Sequence, residues 1–462
     1  MTFPLPTPAE WRESAVKALK DRPLESLVHL DGDGLAVRPL YAEATGAAPV
    51  FAPRPSDAEG RAWDLRTAVE GDDAEAVNAA VLTDLEGGAA SVLLSGAVTG
   101  DAAALGRALD GVALELAGVA LDAGLACPAA ADALAATAKG APRARLSFHL
   151  DPISAWAAAG GDGVAPGVHL AVHLAEAAAT AARHAGTYPE ARLFLASGAV
   201  VHEAGGTAGQ ELGFAAAAAI AYIDAAVDAG LSVERALSGV TLGLSVDQQY
   251  FDGLAKVRAL RLIWKTISGA YGHETPAVIE ARSSRRMLAA RDPWPNLLRL
   301  TAAGFAGAVG GADVVVLDGF TRAAGVPDAF ARRQARNTQI VLMEEANLGR
   351  VDDPAAGSWF LDARTRDLAE AGWNEAQRIV REGGLVASVA GGGVQQRVAA
   401  ARAAFLSAYA DGCATMVGVT KFVDPDPRPA PVEDAPAAPA PSGRVPALTP
   451  VRAAASFEEA PR

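Results

Sequence analysis

The sequence contains few cysteines, and this shortage excludes a class of protein. Two cysteines, Cys127 and Cys413, stand in 462 residues. Two are too few for a disulfide-stabilised secreted fold, so we expect a reducing, cytoplasmic setting. No apolar run is long and uncharged enough to predict a membrane span, and the first twenty residues lack the pattern of a signal peptide. The net charge of −14 argues against nucleic acid or an anionic membrane as a partner.

The common catalytic and metal-binding motifs are also missing from the sequence. It has no Walker-type phosphate loop and no serine in a Gly-x-Ser-x-Gly turn, and neither cysteine has the spacing of a metal ligand. Among the seven histidines, His169 and His173 have the i, i+4 spacing that can bind a metal. This pair lacks the glutamate of a zinc hydrolase, so we interpret it as part of a solvated helix face.

What the sequence does contain is an alternation of short strand-like segments and longer helix-like segments. This alternation predicts a parallel sheet, and eight repeats over roughly 250 residues are the number and size of an α/β fold of the closed (β/α)8 barrel type. An open doubly wound sheet is the alternative, which the absence of Gly-x-Gly-x-x-Gly after the first strand disfavours. The predicted strands are Ala62–Val69, Ala90–Gly96, Val112–Gly118, Arg143–Asp151, Arg192–Val200, Val240–Asp247, Ala277–Ser284 and Ala312–Gly319.

The predicted domain organisation has four parts. Residues 1–50 form an N-terminal arm with one amphipathic helix, which must pack on the main body or wrap around a partner. Residues 51–335 form the barrel, and residues 336–423 form a helical extension of it. Residues 424–462 hold ten of the 28 prolines. We expect them to be a disordered tail, because they cannot bury enough apolar surface to offset the entropy of the chain.

Small and polar residues alternate with apolar ones along three of the predicted strands. Since the helix-facing side of a barrel strand must be apolar, we expect the polar faces to line the lumen. Such a lumen could admit a thin ligand. The alternative is an internal hydrogen-bonded plug, in which Arg282 pairs with Asp151 or Glu280. The polar faces consist of Ser147, His149 and Asp151, of Thr241, Gly243, Ser245 and Asp247, and of Glu280, Arg282 and Ser284.

Five regions of the chain, in the family's order, resemble the methylmalonyl-CoA mutase family. Together they cover about residues 30 to 420, and the series makes the resemblance specific. The resemblance implies an eight-stranded barrel threaded by coenzyme A and capped by a separate cobalamin domain. It also implies an adenosylcobalamin-dependent radical rearrangement of (R)-methylmalonyl-CoA to succinyl-CoA. The regions are Asp33–Tyr41, Ser197–Gly205 with Gln210–Leu212, Gly253–Trp264, Arg285–Met287 with Arg291–Asn296, and Arg336–Gln339 with Val351–Trp359.

Within this resemblance, the positions that carry the family's chemistry hold other residues. Val200 replaces the catalytic histidine of the family's Tyr-His-Met-Gln segment, and His202 stands at the glutamine position. Ala68 replaces the tyrosine of the first strand, whereas Arg61 and Arg66 match the family. We find no counterpart of the glutamine and arginine that contact substrate after the fourth strand. The cobalamin-binding motif Asp-x-His-x-x-Gly is also missing.

These departures imply the small, non-catalytic subunit of the family's heterodimer. The tail from Pro450 resembles the segment that leads into the cobalamin domain, so we expect that domain to be absent. The expected partner is the homologous catalytic large subunit, which would carry the adenosylcobalamin, and a CoA ester is a candidate ligand. Two alternatives stay open: a barrel subunit that uses a cobalamin domain on a separate chain, and a non-enzymatic scaffold. No catalytic residue or metal ligand is predicted, and the vestigial substrate-binding residues are Arg61, Arg66, Ser197, His202, Ser245 and Ser284.

Overall fold

A computed structural model describes residues 6–44, 60–161, 168–433 and 445–458, with the single residues 46, 49, 51 and 443. Eight parallel strands close into a barrel in which each strand pairs with the next and the last pairs with the first. Helices surround this barrel, which confirms the predicted (β/α)8 fold. Strands β1–β8 are Asp64–Glu70, Ser91–Ser95, Gly118–Asp122, Leu146–Leu150, Arg192–Ser197, Val240–Val246, Ile279–Ser283 and Val314–Val316.

The third strand lies further along the chain than the sequence analysis placed it. Val112–Gly118 is apolar except for Glu115, which favours a strand, but Leu116 in this segment is 77% exposed. The actual strand is β3, in which Val119, Ala120 and Leu121 are all buried. Strands of a parallel barrel are covered on both faces, so a continuous apolar run fits better than an alternating one.

Two helices begin at a reciprocal capping box. The side chain of Thr7, before Pro8–Leu19, accepts from the Glu10 backbone while Glu10 reaches back, and Thr207 caps Ala208–Asp228 in the same way with Gln210. Helices α1–α16 are Pro8–Leu19, Ala74–Glu86, Ala102–Ala108, Cys127–Thr137, Pro152–Ala159, Val168–Ala185, Ala199–Glu203, Ala208–Asp228, Val233–Ser238, Tyr250–Ala270, Asn296–Val309, Ala329–Ile340, Trp359–Arg381, Leu385–Ala390, Gly393–Ala410 and Ala455–Glu458. Shorter elements are the 3₁₀ turns Leu24–Leu27, Ala97–Gly100, Gly124–Ala126 and Arg285–Met287, the π turn Val341–Glu345, and the strand pairs His29–Leu30 with Ala36–Val37 and Val326–Pro327 with Val432–Glu433.

Helix α8 is a core helix and explains the abundance of alanine. Among the described residues it is the one helix long and apolar enough to cross a membrane, and 67% of its most apolar window is buried inside the protein. Its small residues let α13 approach closely. A Cβ added at Gly213 would lie 2.6 Å from the Cβ of Glu375, and one at Gly372 would lie 2.6 Å from the Cβ of Leu212. The apolar run therefore serves helix packing.

The end of the tail is packed on the barrel, so the expectation of disorder is wrong for residues 445–458. The Val451 amide donates to the Glu203 carbonyl at 2.8 Å, and the Ala453 amide donates to the Arg286 carbonyl at 3.0 Å. Apolar residues stand between the prolines of this segment and pack on the surface of the barrel. The proline content of the tail does not show this spacing. The buried residues of the segment are Val445, Leu448, Val451, Ala453 and Ala454. The predicted domain boundaries themselves stay predictions.

Candidate functional site

An ion pair crosses the lumen of the barrel from one side to the other. Arg282 on β7 donates to Asp122 on β3 at 2.8 Å. These strands are four positions apart in a ring of eight, so the bond spans the barrel axis. Arg282 also donates to Glu280 at 2.6 Å, and Arg66 on β1 donates to the other Glu280 oxygen at 2.5 Å. The lumen therefore holds a network of charged side chains, called here the lumen plug. Arg66 and Glu280 are buried within it, whereas the Arg282–Asp122 pair lies toward the carboxyl ends of the strands, where the Asp122 side chain is 51% exposed.

Burial makes the charges of the plug interdependent. Burial alone would raise the pKa of Glu280, but Arg282, His149 and Arg66 together hold this pKa well below its usual range. Nε2 of His149 lies 3.7 Å from Glu280. Burial lowers the pKa of His149 to about 4, although Glu280 acts in the opposite direction. At neutral pH the plug thus holds guanidinium groups and carboxylates around a neutral imidazole.

The plug decides between the two interpretations of the polar strand faces. Arg282 pairs with Glu280 as the plug alternative predicts, and it pairs with Asp122 in addition. Asp151, the other candidate partner, instead accepts from the hydroxyl of Tyr222 at 2.5 Å and from the amide of Ser154 at 3.2 Å. The polar faces do point inward, but the middle of the barrel axis is occupied by side chains.

Two cavities lie at opposite ends of the plug. The cavity at the carboxyl ends of the strands has a volume of about 230 Å³, and the cavity at their amino ends has a volume of about 270 Å³. We call them the carboxyl-end and amino-end cavities. Residues of the carboxyl-end cavity include Ala68, Glu70, Asp122, Ser245, Arg282 and Pro450. Those of the amino-end cavity include Arg61, Asp64, Arg66, Arg145, Arg192 and Thr241.

Neither position that replaces a family catalytic residue presents a polar group. Ala68 lines the carboxyl-end cavity with a methyl group and packs beside the lumen residues Leu93 and Val316. Val200 is half-buried and packs against the main hydrophobic core. Its neighbour Ala199 reaches the cavity instead.

The fifth strand is shorter than the predicted Arg192–Val200, and both Val200 and His202 lie beyond its end. Strand β5 ends at Ser197, and both residues lie on the short helix α7. The ring of His202 is buried, with Nδ1 3.2 Å from Glu211 and Nε2 2.9 Å from the hydroxyl of Ser284. Its side chain belongs to an internal polar network.

That network also contains a buried ion pair. Lys256 donates to Glu211 at 2.6 Å. Burial would raise the pKa of Glu211, but Lys256 and His202 lower it to about 2. The Ser245 amide donates to the same carboxylate at 2.6 Å. The structure thus brings His202, Ser245 and Ser284 together around Glu211.

The other predicted site residues lie elsewhere. Ser197 accepts from the Ala199 amide at 3.2 Å, at the carboxyl end of β5. Arg66 belongs to the lumen plug, and Arg61 lies at the opposite end of the barrel, where it donates to the Gly88 carbonyl at 3.0 Å. The six predicted residues therefore do not form one binding site.

Three charged residues of these networks were not predicted from the sequence. Asp122 was missed because the third strand was misplaced. Glu211 stands alone in an apolar stretch of α8, and that lone charge was the available signal. Lys256 is followed on α10 by Arg258 and Arg261, so it carries no such signal. Of the histidine pair, His173 lies 3.8 Å from Glu176, and the side chain of His169 is outside the described residues.

Comparison with known proteins identifies the family. The family model of methylmalonyl-CoA mutase matches residues 95–460. The chain belongs to the methylmalonyl-CoA mutase family. It is 39% identical to the methylmalonyl-CoA mutase small subunit of Streptomyces virginiae, over 92% of this chain and 70% of that protein. It is 33% identical to the small subunit of Propionibacterium freudenreichii subsp. shermanii, over 84% of this chain and 64% of that protein. It is 37% identical to the probable small subunit of Mycobacterium tuberculosis H37Rv, over 80% of this chain and 62% of that protein, so it spans about two thirds of these relatives.

The methylmalonyl-CoA mutase family implies adenosylcobalamin, and the described residues of this chain do not fit it. His149 and His202, the histidines nearest the barrel lumen, are both buried within charged networks. Pro450 of the tail lies over the carboxyl-end cavity, where the family's capping domain is expected. We therefore derive no chemical step through this cofactor.

Proposed function

We propose that this chain is the small subunit of a heterodimeric methylmalonyl-CoA mutase, that it is catalytically inactive, and that its role is assembly. The observation that carries this proposal is the Arg282–Asp122 ion pair across the barrel axis. A CoA ester that threads the barrel needs the space that this pair and Glu280 occupy. Ala68 and Val200 add support, because neither side chain can donate a hydrogen bond to a thioester.

The N-terminal arm supports the assembly role. The arm is anchored to the body where Asp31 pairs with Arg364 at 2.5 Å and Asp33 accepts from the Gly209 amide at 2.9 Å. Its outer side carries apolar residues, including Leu30, which is 67% exposed. A large subunit homologous to this chain would cover such residues and would hold the adenosylcobalamin. The expected setting of the complex is the cytoplasm.

The proposal is tested by reconstitution with adenosylcobalamin. The chain is purified alone, with a co-encoded large subunit, and with an isolated cobalamin-binding protein, and isomerisation of methylmalonyl-CoA is measured in each sample. We expect activity only when the large subunit is present. Activity of this chain with the isolated cobalamin-binding protein would refute inactivity, and failure of any catalytic homologue to co-purify would favour the scaffold alternative.

A substitution in this chain sharpens the test. Val200→Ala removes two methyl groups at the position of the family's catalytic histidine. We expect turnover of the complex to stay within about twofold of wild type, because the reaction takes place in the other subunit. A loss greater than tenfold in an intact complex would place chemistry in this barrel.

A further inference from the structure

The carboxyl-end cavity is lined by charged side chains that pair incompletely. Among the described residues there are eight of them, four guanidinium groups and four carboxylates. Three guanidinium groups pair with three carboxylates, so that one group of each sign is left over. The two groups left over are Glu203 and Arg332. The pairs are Arg282 with Asp122, Arg285 with Asp318, and Arg322 with Glu70.

Glu203 has one carboxylate oxygen that is already engaged and one that is not. Its Oε1 accepts from the Arg285 amide at 3.2 Å and from the Ser245 hydroxyl at 3.4 Å. Its Oε2 is buried and accepts no hydrogen bond from the described residues. The guanidinium of Arg285 acts on Glu203 only at longer range, because it pairs with Asp318 at 2.8 Å. A buried acceptor without a partner is unfavourable, and a donor group in the cavity would satisfy it.

Arg332 is the corresponding cation. It lies on α12, is half-buried, and donates to the Pro327 carbonyl at 3.0 Å. In the part of the chain that the structure describes, no carboxylate lies at ion-pair distance from it. Asp84 acts on it only at longer range, because that carboxylate pairs with Arg336 at 2.6 Å. A guanidinium has five N–H donors, so donors remain for a carboxylate ligand.

The two unpaired charges come from separate elements of the barrel. Helix α7, which carries Glu203, follows β5, and α12 follows β8, three positions further round the ring of eight strands. A ligand that meets both charges must therefore carry its own charges at opposite ends. The volume of about 230 Å³ is below the roughly 300–1,000 Å³ of sites for drug-sized ligands, so this ligand is small. The methyl groups of Ala68 and Ala199 in the lining suit a short alkyl chain.

We propose that the carboxyl-end cavity binds a small zwitterion, with its ammonium group at Glu203 and its carboxylate at Arg332. The chemical class is an amino acid whose two charges are separated by a short alkyl chain. Such a molecule supplies a counter-charge to each group that the protein leaves unpaired, whereas an anion or a cation alone supplies only one. This inference goes beyond the proposed function, since it uses only the residues of the cavity and holds whether or not the chain is a mutase subunit.

The test is calorimetric titration of the full chain with 4-aminobutyrate, 6-aminohexanoate and 8-aminooctanoate at fixed ionic strength. We expect saturable binding at one site with one preferred chain length, because the positions of Glu203 and Arg332 are fixed by the barrel. The one-charge analogues of the preferred compound, its carboxylic acid and its amine, should bind at least about tenfold more weakly. Analogues that bind as tightly as the zwitterion would overturn the proposal, as would no saturable binding of any compound in the series.

Variants of the chain assign the two ends of the ligand. Glu203→Gln should reduce the affinity for the zwitterion to that of the carboxylic acid analogue, and Arg332→Gln should reduce it to that of the amine analogue. The matched control is Arg333→Gln, the next residue on α12, which is exposed and lies over the ring of Phe330. We expect this variant to bind as wild type does, and an equal loss in Arg332→Gln and Arg333→Gln would refute the assignment. If Glu203→Gln does not fold, the Arg332 variant and the one-charge analogues decide the question.

Discussion

Replacement of Glu280 by glutamine tests whether the lumen plug holds the barrel together. The side chain of Glu280 is fully buried and accepts from Arg66 at 2.5 Å and from Arg282 at 2.6 Å. Glutamine keeps the shape but removes the negative charge that the two guanidinium groups share. Asp64 and Asp122 then remain as their carboxylate partners.

The expected magnitude follows from the cost of a buried charge without a full counter-charge. Removal of one partner from a buried ion pair typically destabilises a protein by about 3–5 kcal/mol. We expect Glu280→Gln to lie in this range. Glu115→Gln is the control, because it breaks the exposed Arg143–Glu115 pair, and exposed pairs contribute about 0–1 kcal/mol.

The assay is equilibrium unfolding in urea, followed by circular dichroism, for both variants and for wild type. A double-mutant cycle with Arg66→Gln adds a second measurement. Since Arg66 and Glu280 are in direct contact, the double variant should be less destabilised than the sum of the single variants by at least about 1 kcal/mol. If Glu280→Gln loses no more free energy of unfolding than Glu115→Gln, the plug does not stabilise the barrel and our reasoning is refuted.

Two further predictions concern the pH dependence of stability and the docked tail. The pKa of His149 in the folded chain is about 4, against an ordinary value of 6.5, so the unfolded chain binds the proton first as pH falls. Stability should therefore decrease from pH 6.5 to pH 4, by an amount on the order of 3 kcal/mol. The test variant is His149→Asn, because asparagine tolerates the positive φ of this position. Its free energy of unfolding should decrease less than that of wild type between pH 6.5 and pH 4. An unchanged decrease would show that His149 is not the group responsible. Ala454→Glu places a charge in the buried cluster with Ala289 and Met416, so limited proteolysis should cut residues 445–458 faster than in wild type. The control is Ser456→Glu at an exposed position, which should leave the rate of cleavage unchanged. Equal rates in the two variants would show that the tail is not docked through Ala454.

The barrel could be predicted from the sequence because its signal is periodic and local. Alternating strand and helix segments determine the fold class, and the period of two along β4, β6 and β7 correctly predicts which residues face the lumen. The same pattern misplaced β3, whose continuous apolar run has no alternation. It also placed Val200 in the fifth strand, because the change from β5 to α7 after Ser197 leaves no proline or charge as a boundary.

Pairing partners in the lumen could not be predicted in the same way. Alternation along a strand predicts the face on which a side chain lies, but not which residue it contacts across the barrel. The bond from Arg282 to Asp122 depends on ring closure, which brings β7 opposite β3 although 160 residues separate the two partners. The docked tail poses a similar problem, since Val451 and Ala453 find their backbone partners on α7 and in the turn Arg285–Met287.

The polar lumen and the loss of catalytic groups are compatible because polarity in a barrel serves two different purposes. A lumen that accepts a ligand must leave donors and acceptors unpaired until the ligand arrives. A lumen that links strands must pair them within the protein, since unpaired buried charges are unfavourable. Here Glu280 pairs with Arg66 and Arg282, Arg282 pairs across the axis with Asp122, and the carboxyl-end cavity has methyl groups at Ala68 and Ala199. Polarity in the middle of this lumen therefore links strands, and any binding retained by the barrel is confined to the two cavities at its ends.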